Sequence, residues 1–320
     1  MLKKKINPES CQTQLVNFNS QHVQDAEILE FRGTGSRDVY NPSIPFENQK
    51  ETLIAGRVEE RDSEFSQVKF FSPSSEKETV WRIRKDLPSF ELQDPFVTRV
   101  NNQLVLGGVK LITSKSGEIE SWVTEFYRGP SVEELTYFAR GPEHMKDIRI
   151  LELKSGKIAL FSRPQGQKML EKYGRIAGIG FTLIDGLDEL KPKIINRAPL
   201  LEYPFTSEEW GGCNNLYELE NGLIGIIGHK AYYDKEQNKH YYGIAFALDP
   251  ETGKFTQNKI IITRDCFPEG PAKSPELEDI IFTSGIIRKQ DNKAVLYTGL
   301  SDCQVGRAVI TDPFLEYEKL

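Results

Sequence analysis

The stretch Phe90–Val109, FELQDPFVTRVNNQLVLGGV, decides how the chain is read. Two apolar runs, PFVTRV and QLVLGGV, flank the polar pair Asn101–Asn102, the pattern of two strands joined by a turn. Asp94, followed by Pro95, stands at the mouth of the first run. A carboxylate there either caps the turn ahead of the proline or faces something other than the core. The arrangement recurs at Lys146–Pro164, KDIRILELKSGKIALFSRP, with Asp147 in the matching place.

Working outward, apolar runs led by polar turns recur along the whole chain. ETLIAGR starts at Glu51, NQLVLGG at Asn102, GKIALFSR at Gly156, NGLIGIIGH at Asn221 and NKAVLYTG at Asn292. The intervals of roughly 50 to 70 residues suit one propeller blade with its loops. Each run has a forerunner: DVYNPSIPF, QDPFVTRV, KDIRILEL, GGCNNLYEL and FTSGIIRK. Five copies of a strand–turn–strand unit predict an all-β, five-bladed propeller with a central substrate funnel. It would form a single domain over residues 1–320, with residues 1–30 as an extension closing or packing on the propeller. Helical patterns are rare, and SVEELTYFARG, with Ser131 as N-cap, is the best of them.

Composition limits the partners. The chain has 28% charged and 38% hydrophobic residues, suited to a soluble protein with a sizeable core. A net charge of −6 argues against nucleic acid, whose phosphates need a basic face, and against a polybasic membrane anchor. Four cysteines without a CxxC pair form no disulfide framework. No run reaches the roughly 20 apolar residues of a membrane helix, and the basic start MLKKKINPES has no apolar stretch behind it. A cytoplasmic setting is expected.

In a propeller the leading ends of the inner strands converge on one face, so side chains distant in sequence would share one concavity. At the leading ends lie Asp38, Asn41, Asp94, Lys146, Asp147, Arg149, Glu209, Trp210 and Asn214; just past the second strands lie Arg57, Arg163, His229 and Asp302. Charges at the ends of buried strands need partners, and this ring supplies both signs. Carboxylic acids suit protonation of a glycosidic oxygen, Arg, Lys and His suit inorganic phosphate as a co-substrate, and Trp210 suits a sugar platform. Blander readings stay open: a core His229, an Arg57 paired with Glu59 and Glu60 on a solvated edge, and a loop Arg163. RGTGSRD lacks the ending of a P-loop, no G-x-S-x-G elbow is present, and His22, His144, His229 and His240 have no zinc spacing. No cofactor or metal ligand set is assigned, although carboxylates alone can hold Ca²⁺.

The ordered set YNPSIPF, GRVEERDSEFSQV, LQDPFVTRVNNQLVLGGV, MKDIRILELKSGKIALFSRP, IIGHKAYYDKEQNKHYYGIAFALDP and DIIFTSGIIRKQDNKAVLYTGLSD resembles glycoside hydrolase family 130, over about Asp38 to Phe314. That family holds mannoside phosphorylases and some hydrolases on a five-bladed propeller. The resemblance implies Asp94 as general acid, Asn41, Arg57 and Asp302 as sugar-binding residues, and Lys146, Arg163 and His229 as a phosphate pocket. Gln93 and Phe96 stand where the family has Glu and Arg, which implies a substrate other than its standard mannoside. Inverting phosphorolysis of a small oligosaccharide is the leading expectation. The alternatives are an inverting hydrolase with Asp147 or Glu209 as base, and a sugar-binding propeller without turnover. A homo-oligomer is left open.

Overall fold

The computed structural model describes the backbone of residues 1–320 and every side chain but that of Lys168. A short helix α1 (Cys11–Asn17) and a strand β1 (Val23–Arg32) come first. Five strand units follow. Unit one is β2 (Asp38–Tyr40), β3 (Phe46–Asn48), β4 (Glu51–Glu59), β5 (Ser66–Pro73) and β6 (Val80–Ile83). Unit two is β7 (Gln93–Val100), β8 (Gln103–Thr113), β9 (Ile119–Gly129) and β10 (Thr136–Arg140). Unit three is β11 (Lys146–Glu152), β12 (Ile158–Arg163) and β13 (Gly180–Ile184), with α2 (Gln167–Tyr173) between the last two and α3 (Pro192–Ile195) after them. Unit four is β14 (Trp210–Glu218), β15 (Ile224–Tyr233), β16 (Lys239–Leu248) and β17 (Lys259–Ile262), and unit five is β18 (Ile281–Arg288), β19 (Lys293–Leu300) and β20 (Gln304–Thr311).

Units two to five pair their consecutive strands antiparallel, as short turns require, and in unit one β2 and β3 both pair antiparallel with β4, which pairs with β5 and β5 with β6. In the turn of the opening stretch, Asn101 and Asn102 take φ values of 50° and 61°. Those left-handed conformations match the right-handed twist of a hairpin, and Asn tolerates them better than most residues. The strands β4, β8, β12, β15 and β19 each carry a buried central run, most clearly β12, whose six residues are all buried. That is why these strands read as unbroken apolar runs.

The N-terminal strand joins the two ends of the chain. Val23 to Leu29 of β1 pair antiparallel with β20, while Glu30 to Arg32 pair parallel with β6. Units five and one thus merge into one nine-stranded sheet. The core is divided in the same cyclic order. Leu53, Phe70 and Leu106 pack between units one and two, and Phe126, Ile148 and Leu160 between two and three. Phe161, Ile226 and Phe246 fill the next interface, Ile227, Ile286 and Leu296 the next, and Leu29, Val39 and Tyr297 return to unit one. Sheets that bury their faces against neighbours on both sides, in a propeller-type arrangement, need no single central core.

The helix expected at SVEELTYFARG does not form. Only one 3₁₀ turn, Val132–Glu134, follows Ser131, and Thr136–Arg140 pairs with β9 as the outer strand of unit two. Thr, Tyr and Phe in succession favour a pleated surface, and an available sheet edge overrides a weak helical pattern. Among the described residues no helix is long and apolar enough to cross a membrane.

Candidate active site

The inner strands carry the site because each breaks its register at the same place. β7 shifts between Gln93 and Phe96, β11 between Lys146 and Arg149, β14 between Cys213 and Asn215, and β18 between Thr283 and Gly285. A bulge inserts one residue, bends the strand and re-aims a side chain. Asp94 and Asp147 sit on their bulges at φ values of 48° and 55°, and Asn41, at the end of β2, has φ 42°. This answers why a carboxylate precedes a core strand: the bulge turns it toward the axis instead of the core.

Asn41, Arg57, Asp94, Lys146, Asp147, Arg163, His229 and Asp302 line one cavity of about 210 Å³. Two linked ion clusters build it. In the first, Asp94 Oδ1 accepts from Asn41 Nδ2 at 2.8 Å and from Arg57 Nη1 at 3.1 Å. Arg57 also donates from Nε and Nη2 to Glu59 Oε2, at 3.0 and 2.7 Å. Glu59 Oε1 accepts from Tyr40 at 2.6 Å and from Lys273 at 2.5 Å, and Lys273 reaches Glu64 at 2.8 Å. In the second cluster, Asp147 Oδ2 lies 3.0 Å from Arg163 Nε, off the hydrogen-bonding angle, so that this buried N–H has no hydrogen-bond acceptor. Arg163 Nη1 is 3.4 Å from His229 Nε2, and Nη2 donates to Gln165 at 2.7 Å. Asn214 orients the imidazole through a 2.7 Å bond at Nδ1 while its amide donates to Thr283 O. Lys146 makes no hydrogen bond or ion pair among the described residues.

The electrostatics separate the acids. Burial works to raise the Asp94 carboxyl, but Arg57, Lys146 and the Asn41 hydrogen bond outweigh it and hold it below the usual range. Asp147, equally buried, is brought down to about 2 by Arg163, His229, Arg149 and Lys146. Asp302 goes the other way: burial first, and the Asp94 charge with it, push its carboxyl up against the pull of Arg57. Burial and the surrounding cations lower His229 to about 3, so its imidazole is neutral near pH 7. Burial, then Arg163, lower the Lys146 ammonium.

Five expected site residues lie outside the cavity lining, among them Arg149, whose Nε donates to the Asn214 carbonyl at 2.8 Å. Glu209 is separated from it: its carboxylate pairs with the fully buried Lys230 at 3.1 Å and accepts from the Cys11 N–H at 2.5 Å. It anchors α1 and is not placed as a base for the cavity. Trp210 is no open platform, because it is buried, with Tyr233 4.8 Å away and its indole N–H donated to Tyr241. Asp38 pairs with Arg61 near the surface. Asn214 stands behind His229 as its orienting partner. Sequence reasoning missed Glu64, Lys239, Tyr241, Lys273 and Phe282 on the lining, and the Arg57–Glu59 pair it left open is buried, not on a solvated edge. Tyr241 stacks on His229 at 5.6 Å. Two glycines were overlooked as well. A Cβ on Gly212 would press on Arg163, Asp147 and His229 at 3.0–3.1 Å, and one on Gly299 would collide with Asn41. Phe96, where an arginine was expected, carries the guanidinium of Arg149 over its ring at 4.5 Å.

With this geometry in hand, the class is defined: a propeller-type all-β fold with a small cavity of opposed carboxylates and cations. The family model described as "Protein of unknown function (DUF1861)" matches residues 16–316, and the chain belongs to that family. A mannose phosphorylase from Leishmania mexicana, solved in complex with phosphate ion, is 37% identical over 95% of this chain and 93% of its own, with a TM-score of 0.86. A GDP-Man-dependent mannosyltransferase from Leishmania mexicana is 34% identical over 96% and 95%, with a TM-score of 0.85. The β-1,2-mannobiose phosphorylase of Listeria innocua shares the fold at 14% identity, with coverage of 94% and 98% and a TM-score of 0.60. The suspected kinship with glycoside hydrolase family 130 is thereby supported. No curated protein matches the chain.

Proposed function

We propose that the protein is a mannoside phosphorylase built on a five-bladed propeller, cleaving a short mannoside in the central funnel with inorganic phosphate as co-substrate. One observation carries this reading. The cationic corner of the cavity is incomplete: among the described residues Lys146 has no hydrogen bond or ion pair and the buried Arg163 Nε lacks a hydrogen-bond acceptor. A buried guanidinium in that state, beside a half-buried ammonium, wants an anion, and phosphate offers the several acceptor oxygens that Arg and Lys bind best. The likeness to a mannose phosphorylase solved with phosphate supports the same assignment.

In this reaction a phosphate oxygen held by Arg163, Lys146 and the neutral His229 attacks the anomeric carbon. The carbon–oxygen bond to the leaving sugar breaks, and that oxygen takes a proton. Asp94 and Asp302 supply it as a pair: Asp302 is the member that favours the protonated form, and Asp94 is the member that matches the general acid of the resembling family. The proton carried by the attacking phosphate then restores the acid, leaving a mannose 1-phosphate dianion and a free sugar. General acid catalysis of this kind contributes roughly 10²- to 10⁴-fold. A cytoplasmic setting fits, because a charged product is retained there.

Hydrolysis with Asp147 as base has less support, since Arg163 and Arg149 hold that carboxylate as a weakly basic anion. The test is to incubate mannobiose with the protein with and without inorganic phosphate. Mannose 1-phosphate formed only with phosphate is the expected result. Free mannose released at the same rate without phosphate refutes the reading.

A further inference from the structure

A neutral imidazole has one N–H and one lone pair, and which nitrogen holds which is set by its neighbours. For His229 each nitrogen faces a partner that can play a single role. On one side stands Asn214, at the bulge of β14. Its Nδ2 donates to Thr283 O at 2.6 Å. A backbone carbonyl only accepts, so the amide turns its NH₂ to Thr283 and its Oδ1 to His229 Nδ1, 2.7 Å away. Nδ1 therefore carries the proton. On the other side, Nε2 lies 3.4 Å from Arg163 Nη1, and a guanidinium only donates. Nε2 is therefore the lone pair, and the two sides reach that result independently.

The arrangement is held from several directions. Arg149 Nε donates to Asn214 O at 2.8 Å, and Thr283 Oγ1 donates to Gly228 O, next to His229 in β15, at 2.7 Å. Tyr241 and Phe282 pack on the imidazole with ring centres at 5.6 and 5.1 Å, which fixes its plane. Of the charged groups around it, Arg163, Lys146 and Arg149 oppose a second proton and Asp147 favours one; burial decides the matter, and the ring titrates only at about 3.

We propose that Asn214, acting through His229, makes the cationic corner selective for an oxyanion that still carries a proton, hydrogen phosphate, over one that carries none, sulfate. The inference rests on the phosphorylase reading and adds the form of the co-substrate and a positioning residue behind the cavity wall. Arg163 and Lys146 donate to the bare oxygens of a bound anion. His229 Nε2 and Asp147 Oδ2, 3.8 Å apart, accept instead, and Arg163 and Arg149 keep Asp147 ionised. The 3.4 Å contact from Arg163 is long for a hydrogen bond, so the Nε2 lone pair has room for a better donor. The hydroxyl of hydrogen phosphate supplies one, and its proton stays on the phosphate. Sulfate sets oxygen lone pairs against both acceptors. A buried acceptor left without a donor is costly, and a site built around a hydroxyl rejects the analogue that lacks it by large factors. A corner of cations alone has no reason to choose, since sulfate and hydrogen phosphate are both tetrahedral dianions.

The test is calorimetric titration of the full-length protein at neutral pH and constant ionic strength with inorganic phosphate, arsenate and sulfate in turn. Phosphate and arsenate, which both carry a proton, are expected to bind within about threefold of each other, and sulfate at least about 100-fold more weakly, the equivalent of about 2.8 kcal/mol. Asn214→Leu removes the acceptor at Nδ1 and lets the proton move to Nε2, so the ratio of phosphate to sulfate affinity is expected to shrink to about tenfold or less. The ratio is the readout, because a purely structural role lowers both affinities together. Should that variant fail to fold, ¹⁵N spectra of wild type labelled at histidine decide, with His229 assigned by the signals lost in His229→Gln. A protonated Nδ1 and a bare Nε2 are expected. A protonated Nε2, wild-type sulfate binding within about tenfold of phosphate, or an unchanged ratio in Asn214→Leu overturns the inference and leaves phosphorolysis standing. Binding of none of the three anions, together with no phosphate-dependent turnover of mannobiose, overturns the phosphorylase reading as well.

Discussion

Replacing Glu59 by alanine is expected to destabilise the protein more than any other single exposed-to-buried comparison in unit one. Glu59 is 1% exposed and accepts four hydrogen bonds, two from Arg57 and one each from Tyr40 and Lys273. Arg57 is itself buried and Lys273 only slightly exposed. Removing the carboxylate leaves two cations facing each other with less negative charge between them. Breaking a buried pair from one side costs about 3–5 kcal/mol, and summing the four bonds separately would count the same desolvation more than once. Against a typical total of roughly 5–15 kcal/mol, that is a large fraction. The assay is urea unfolding, read as a lower midpoint at unchanged slope. The exposed neighbour Glu60, 4.0 Å from Arg37, serves as control, and Glu60→Ala is expected to stay within about 0.5 kcal/mol of wild type. Glu59→Gln keeps one of the two acceptor oxygens, so about half of these hydrogen bonds, and none of the charge, and its loss falls between those of Glu60→Ala and Glu59→Ala. A Glu59→Ala loss below about 1 kcal/mol would refute the claim that this carboxylate neutralises the pair of cations. The same substitution frees Arg57 to swing off Asp94, so the proposed phosphorolysis is expected to fall even where the variant stays folded.

Three further outcomes are expected. Asp147 has its carboxyl lowered from 3.8 to about 2, so its stabilising contribution is complete above pH 3.8 and is lost as pH falls toward 2; Asp147→Asn removes about 2 kcal/mol at neutral pH and flattens the acid unfolding curve over that window, whereas an unchanged curve refutes the coupling to Arg163. Asp302 is raised, so the rate falls as pH rises through its ionisation; Asp302→Asn moves or abolishes that alkaline limb in a kcat/KM profile, and a profile identical to wild type removes Asp302 from the acid pair. Glu209→Gln is expected to speed hydrogen exchange in α1 and the residues before it, because the Cys11 N–H and Lys230 lose their anion; a loss of turnover beyond about 10²-fold with exchange unchanged would instead restore Glu209 as a catalytic base.

How much was legible follows from the range of each signal. Local alternation and polar turns were enough to locate all five leading strands, because a β-strand bounded by a turn is written within about ten residues. Asp94 and Asp147 were legible as a pair because they hold equivalent places in adjacent repeats, and Asn41 follows the same rule at the end of β2. Glu59 was visible as a partner for Arg57, but its burial was not, since nothing within the strand tells a solvated edge from a strand whose far end is covered by Lys273, distant in the chain. Trp210 and Glu209 were misjudged for the converse reason. Their leading-strand positions matched the pattern, but the residues that occupy them, Tyr241 and Tyr233 for one and Lys230 with Cys11 for the other, come from other segments. SVEELTYFARG shows the same limit in secondary structure, where the edge of β9 outcompeted a short helix.

The sequence by itself determined the all-β class, the five repeats, and which polar residues stand at the strand ends, because side-chain period and turn chemistry are local properties of the chain. Only the tertiary structure decided which of those residues meet. Bulges in β7 and β11 turn Asp94 and Asp147 off the regular pleat, and packing of successive sheets brings Arg57, Arg163, His229 and Asp302 around them. Charge pairing across such distances in sequence depends on closure by β1 between β20 and β6, and no window of neighbouring residues contains that information.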